Sequence, residues 1–129
     1  MTITEVSREL NLTQDTLRYY ERIGLIPGVG RKSGIRDYKE EDLRWIEFIK
    51  CMRSAGLPIE VLIEYVGLSQ QGDATIEARK ELLAEQRNRL AERIEEMKAT
   101  LERLDHKIEI YEKSIAPLEN KLKKTDKQP

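Results

Sequence analysis

The sequence predicts a mainly α protein in which a winged helix-turn-helix unit is followed by linker helices and one long helix built to pair with another copy of itself. Three observations carry the prediction. Two short amphipathic helices are separated by a tight turn, a glycine-rich basic ribbon follows them, and apolar residues recur in steps of four and three along the last third of the chain.

The first helix opens at Thr2 with Glu5 three residues on, the reciprocal pattern in which a hydroxyl caps an amide and a carboxylate reaches back. Ile3, Val6 and Leu10 then form one apolar stripe. Asn11 suits the turn because its side chain tolerates left-handed backbone. Thr13 caps a second helix with Leu17, Tyr20 and Ile23 facing inward and Gly24 as its stop. Between Leu25 and Tyr38, Pro27, Gly28, Gly30 and Gly34 surround Arg31 and Lys32, the composition of a short β-ribbon with a basic tip and hence a candidate wing.

From Glu40 to Ala55, Leu43, Ile46, Ile49 and Met52 recur every three residues beside Trp45 and Phe48, which predicts a third helix. Gly56 ends it, and Pro58 stands at the first turn of a fourth that runs to Val66. The polar stretch after it reads as a hinge. The expected organisation is therefore 1–70 for the winged unit with its linker helices, 71–75 for the hinge, 76–116 for the long helix and 117–129 for a flexible tail.

The long helix carries the clearest periodicity: Leu83, Leu90, Ile94, Met97, Leu101, Leu104, Ile108, Tyr111, Ile115 and Leu118 follow a heptad seam, with Arg87 as an interruption. From Ile76 to Ser114 it would span about 58 Å at 1.5 Å per residue. A lone helix would leave this seam in water, and no second helix of matching length is available. The expected partner is another copy, a homodimer. Pro117 is expected to end or bend the helix at Ala116.

The chain has 129 residues, 36% of them charged and 39% hydrophobic, too little apolar material for one large core. The formal net charge of -1 does not itself point to nucleic acid. Locally the balance differs: from Thr16 to Lys39, six cations (Arg18, Arg22, Arg31, Lys32, Arg36, Lys39) stand against two anions, Glu21 and Asp37. A single cysteine, Cys51, excludes an intrachain disulfide, a redox Cys-x-x-Cys pair and a multi-cysteine metal site. With His106 the only histidine, no metal and no cofactor are expected. No apolar run reaches membrane-spanning length, so no membrane partner is expected and the location is expected to be cytoplasmic. Nothing resembles a nucleophile-base pair, a phosphate-cradling loop or a carboxylate dyad, and no enzyme activity is expected.

Together, the run Thr13-Gln-Asp-Thr-Leu-Arg-Tyr-Tyr-Glu-Arg-Ile-Gly-Leu-Ile-Pro27, the segment Gly34-Ile-Arg-Asp-Tyr38 and Glu41-Asp-Leu43 resemble the MerR family of bacterial transcription regulators, over residues 2–68. The resemblance implies that two long helices pack as an antiparallel coiled coil and space two DNA-binding domains for a palindromic double-stranded promoter. It implies activation by distortion of the promoter spacer so that RNA polymerase engages both elements. On the presumed recognition helix, Gln14 and Asp15 are placed for base edges, and Arg18 and Tyr19 for phosphate or guanine contacts. Arg36 and Tyr38 match wing contacts to the DNA backbone, and Arg31 and Lys32 add nonspecific attraction. Core packing is the competing reading for Tyr19 and, more strongly, for Tyr20. Lys39 departs from the family, which often has a capping Ser or Thr there.

No cysteine follows Cys51 and no further domain is expected after the long helix, so sensing of mercury, copper, zinc or an iron-sulfur centre through the family's usual cysteines is not expected. The stretch Phe48-Ile-Lys-Cys51-Met-Arg-Ser-Ala-Gly-Leu57 resembles the single-cysteine subgroup linked to aldehyde, electrophile or nitric-oxide stress. Cys51 is the candidate sensor thiol and a small reactive electrophile its partner. Lys50 and Arg53 favour a thiolate, the nearby helix C-terminus opposes one, and core packing is the competing role. Two alternatives stand beside the regulator: a coiled-coil adaptor, and an architectural DNA-binding protein without an inducer.

Overall fold

The computed structural model describes residues 1–126, with side chains described through Leu122 except at position 115. It comprises α1 (Ile3–Leu10), α2 (Gln14–Arg22), β1 (Arg31–Lys32), β2 (Ile35–Arg36), α3 (Glu40–Ser54), α4 (Ile59–Gln70), α5 (Ile76–Ile110) and α6 (Ala116–Asp126). Met1–Arg87 form one compact unit, and the chain from Asn88 onward forms a second.

Local chemistry sets the ends of the first helices. The Thr2 hydroxyl accepts from the Glu5 amide at 3.2 Å while the Glu5 carboxylate accepts from the Thr2 amide at 3.4 Å, completing the reciprocal cap. Asn11 follows α1 in left-handed conformation at φ 54°. Thr13 caps α2 through the Thr16 amide at 3.1 Å. α3 begins without a capping hydroxyl, because the Lys39 ammonium has no acceptor. Asp42 compensates by accepting from the Lys39 amide at 2.9 Å, and Glu40 and Glu41 add negative charge to the positive end of the helix dipole.

The core of the first unit gathers Val6 and Leu10 of α1, Leu17 and Tyr20 of α2, Leu25, Ile26, Val29 and Tyr38 of the intervening segment, Ile46 and Ile49 of α3, Leu57, and Leu62 and Val66 of α4. Ile3, Ile23, Leu43 and Met52 pack partly buried against it. Trp45 forms a cluster with Phe48 and Tyr65, its ring 6.4 Å from the first and 5.9 Å from the second. These rings tie α3 to α4. Between the strands, Arg31 pairs with Arg36 and Lys32 with Ile35. Both turn residues, Ser33 at φ 53° and Gly34 at φ 81°, are left-handed, as the two-residue turn that matches strand twist requires.

Two boundaries differ from expectation. Residues 71–75 are a bonded corner: Gly72 turns at φ 91°, Asp73–Thr75 form a 3-10 turn, and the Thr75 hydroxyl donates to the Leu68 carbonyl at 2.6 Å. Arg79 locks it further, its Nε donating to Thr75 Oγ1 at 3.0 Å. The segment that read as a hinge is thus held by the Thr75 hydroxyl and by backbone bonds from Gln71, Gly72 and Thr75, and the first compact unit continues to Arg87 inside α5. The second difference is at Pro117, expected to end or bend the helix at Ala116: the helical path does not end there but is interrupted just before Ala116. Tyr111–Ile115 form a π-turn, in which the Ala116 amide bonds the Tyr111 carbonyl, and α6 then runs from Ala116 to Asp126. The widened turn places Pro117 in the first turn of a new segment, where a missing N–H costs little. The tail expected to be flexible is therefore helical to Asp126; residues 127–129 of that expectation lie outside the described residues.

Along α5 and beyond, Ile94, Met97, Leu101, Leu104, Ile108, Tyr111 and Leu118 are exposed, whereas Leu83 and Leu90 are half-buried. Ile115 of the same row lies, as a side chain, outside the described residues. His106 is solvated on this helix, away from the apolar row. No helix among the described residues is long and apolar enough to cross a membrane.

Candidate nucleic-acid interface

The outer face of α2 carries a connected polar row. Arg18 Nη1 donates to Asp15 Oδ1 at 3.2 Å, Arg18 Nη2 donates to Gln14 Oε1 at 3.3 Å, and Gln14 Nε2 donates to Thr4 Oγ1 of α1 at 3.2 Å. The Asp15 side chain is 97% exposed, so this ion pair is a surface pair that contributes between about 0 and 1 kcal/mol. It holds Arg18 in place, yet it can be exchanged for a phosphate at small cost. One turn on, Tyr19 is 39% exposed and the Arg22 guanidinium lies 5.5 Å from its ring centroid. Asp15, Thr16, Arg18, Tyr19 and Arg22 line one shallow depression. Tyr20 faces the opposite way into the core, where burial, opposed in part by the Arg53 charge, raises its phenol pKa.

Glu21 connects this helix to the wing. Its Oε1 accepts from Arg36 Nε at 2.8 Å and its Oε2 accepts from the Val29 amide at 3.1 Å. Burial opposes ionisation of Glu21, but the hydrogen bonds from Arg36 and Val29 and the charges of Arg36 and Arg31 outweigh it, holding the carboxyl below its ordinary range. The Arg36 guanidinium is correspondingly pushed up, chiefly by its hydrogen bond to Glu21. On the ribbon, Arg31 Nη1 donates to the Gly34 carbonyl at 3.1 Å, and Lys32 is exposed.

Tyr38 is placed differently from expectation. Only 2% exposed, it anchors the base of the wing, with its amide donating to the Met1 carbonyl at 2.8 Å. Its hydroxyl is buried and has no hydrogen-bond partner among the described residues. Burial is the main cause of its raised pKa, and Arg36, Glu21, Arg18 and Asp42 act on it electrostatically. The hydroxyl expected to face DNA is thus turned into the base of the wing in the single chain. The structure thus brings Gln14, Asp15, Arg18 and Tyr19 together on one face and ties Arg36 to that helix. Glu21 and Arg22 entered the sequence reading only as charges. The signal for Glu21 was its place as one of only two anions within a basic run.

Cys51 is an exposed free thiol on α3. It shares a groove of about 520 Å³ with Glu9, Leu10 and Asn11 from the end of α1 and with Glu47, Lys50 and Ser54. Lys50 Nζ donates to the Leu10 carbonyl at 2.6 Å, which satisfies the C-terminal end of α1 and commits the ammonium to that oxygen. In the single chain the thiol is therefore not a core-packing group. Among the described residues, no group of His, Cys, Asp and Glu is arranged to hold a metal ion.

Two short helices, a two-stranded wing and a basic outer face define a winged helix-turn-helix DNA-binding protein. The model of the MerR HTH family regulatory protein matches residues 1–67, and that of the MerR DNA-binding region matches residues 43–107. The chain belongs to the MerR family of helix-turn-helix transcription regulators. It is 64% identical over 93 residues to the HTH-type transcriptional regulator AdhR of Bacillus subtilis, a match covering 71% of the chain and 66% of AdhR, just under two thirds of that regulator's length. A MerR family transcriptional regulator from Listeria monocytogenes superposes with TM-score 0.90 at 47% identity, covering 98% of this chain and 96% of that one. HiNmlR, a MerR family regulator lacking the sensor domain and solved bound to promoter DNA, superposes with TM-score 0.80 at 30% identity, covering 89% and 92%. The relatives named here are transcription regulators rather than enzymes.

Proposed function

We propose that the chain binds a palindromic promoter as a homodimer, with one winged unit on each half-site and the long helices paired antiparallel. The observation that carries this reading is the outer face of α2, where Gln14, Asp15, Arg18 and Tyr19 stand together beside a wing bearing Arg31, Lys32 and Arg36. Gln14 and Asp15 at the helix N-terminus meet base edges, Arg18 meets a phosphate or a guanine, and Tyr19 and Arg36 meet phosphates. Arg31 and Lys32 add attraction without sequence preference. The likeness to HiNmlR, which was solved on promoter DNA, supports this assignment.

Bound to an overlong promoter, the dimer bends and untwists the spacer so that RNA polymerase engages both promoter elements. Cys51 is the switch. Its thiol adds to a small electrophile such as an aldehyde, the sulfur bonding the carbonyl carbon while the proton passes to the carbonyl oxygen. The adduct occupies the groove between α1 and α3, shifts the packing of α3 and alters the angle between the two DNA-binding units. The exposure of the thiol and the likeness to AdhR support this assignment.

A titration of duplexes by fluorescence anisotropy tests the binding part. A sharp preference for one palindromic promoter is expected; equal, salt-sensitive binding to any duplex would instead indicate an architectural protein. For the switch, Cys51→Ser is expected to abolish induction by aldehyde in a reporter strain and leave operator affinity intact. Induction that survives the substitution removes the switch.

A further inference from the structure

We propose that Glu21 is a positioning residue for the DNA interface: its carboxylate ties the wing to the recognition helix and turns the terminal nitrogens of Arg36 outward to a phosphate. The inference rests on the reading of Arg36 as a backbone contact. Arg36 alone would be a flexible cation on a strand of two residues. Glu21 removes that freedom, because its Oε1 takes the Nε edge of the planar guanidinium at 2.8 Å. Its Oε2 takes the Val29 amide at 3.1 Å, which fixes the entry of the ribbon to the same carboxylate. The pair is sheltered, with side chains 18% and 25% exposed, so solvent competes weakly with it. The Nη1 and Nη2 groups of Arg36 make no hydrogen bond to the described residues and are left for an acceptor from outside.

Coulomb's law alone makes the opposite prediction. An anion within a basic face repels DNA phosphates, so its removal would strengthen binding. Preorganisation predicts a loss, since a guanidinium already aimed at its acceptor loses little freedom on binding. The sign of the effect therefore separates a positioning residue from a bystander. Glu21→Gln is the suitable probe because it preserves shape and one acceptor for the Val29 amide, while its NH₂ end cannot accept from Arg36 Nε.

The test uses the full chain and a palindromic duplex selected from random-sequence DNA by the wild-type protein, with anisotropy titrations over a series of salt concentrations. Glu21→Gln is expected to weaken binding about tenfold, the worth of a charge-assisted hydrogen bond. The slope of log affinity against log salt should fall by about one, as for a lost phosphate contact. Arg36→Ala should do the same, and the double variant should bind no more weakly than Arg36→Ala alone. Arg36→Lys, which keeps the cation and lacks the fork, should also bind more weakly than wild type and keeps the test open if Glu21→Gln does not fold. Binding by Glu21→Gln as tight as or tighter than wild type, additive effects of the two substitutions, or full affinity in Arg36→Lys overturns the proposal. If no duplex is selected at all, the DNA-binding reading itself has failed, which is a different outcome.

Discussion

Leu101→Ala measures what the apolar row of α5 contributes to dimerisation. Leu101 is 58% exposed in the single chain, and it occupies the same row as Met97, Leu104 and Ile108. Full burial of a leucine side chain is worth roughly 1.5–3 kcal/mol, so the area still open corresponds to about 0.9–1.7 kcal/mol per copy. Twofold symmetry doubles this to about 1.7–3.5 kcal/mol per dimer, or a dimer dissociation constant roughly 15- to 300-fold weaker. Alanine retains the highest helix propensity, so the helix itself should survive. Sedimentation equilibrium across a concentration series reads the constant directly, with circular dichroism as the check on helix content. His106→Ala, at an outward heptad position, serves as the control and should leave the constant unchanged. A Leu101→Ala protein that dimerises as tightly as wild type would refute the assignment of this row to the dimer seam.

Three further outcomes follow from the first unit. Tyr38→Phe deletes a buried hydroxyl that has no partner among the described residues, so thermal stability should stay level or rise by about 1 kcal/mol; a loss above that would mean the hydroxyl is satisfied in solution. Gly34→Ala forces a side chain into φ +81° and should destabilise the ribbon by about 1 kcal/mol, seen as faster exchange of the Asp37 amide, which donates to the Gly30 carbonyl across the ribbon; unchanged exchange would contradict the turn geometry. Glu21 has its folded-state pKa held low, so its stabilisation is present above the ordinary carboxylate pKa and is lost as pH falls through the lower folded value. Denaturant titrations in that acid window should show a shallower pH dependence for Glu21→Gln than for wild type, and parallel curves would argue against the Arg36 pair.

Much of this fold is legible along the chain because its signals are local. Thr2, Glu5, Asn11 and Thr13 act within a few residues of themselves, and each does in the structure what its chemistry implies. The spacing of Leu17 and Tyr20 likewise names the inward face of α2 and leaves Arg18 and Tyr19 outward. What is missed depends on partners distant in sequence or on backbone states that composition does not encode. Tyr38 reads as a surface aromatic beside two charged residues, and only the fold shows that it plugs the base of the wing. Glu21 and Arg36 are fifteen positions apart, so their pairing exists only once the ribbon folds back on α2. Pro117 reads as an end or a bend of the helix, and which of them occurs is set by a π-turn ahead of it that carries no composition signature. The 71–75 segment looks loose because a threonine whose hydroxyl bonds nearby backbone, as Thr75 does, reads the same as one that bonds water.

The measurement that bears hardest on the regulator reading is the stoichiometry and sequence preference of the full chain on duplex DNA, read by sedimentation and anisotropy at physiological salt. Two chains bound per palindromic duplex are expected, with a dissociation constant of about 10⁻⁸ M or below and at least roughly a thousandfold preference over scrambled duplex. A single chain per site, or equal affinity for palindrome and scramble, would contradict the account.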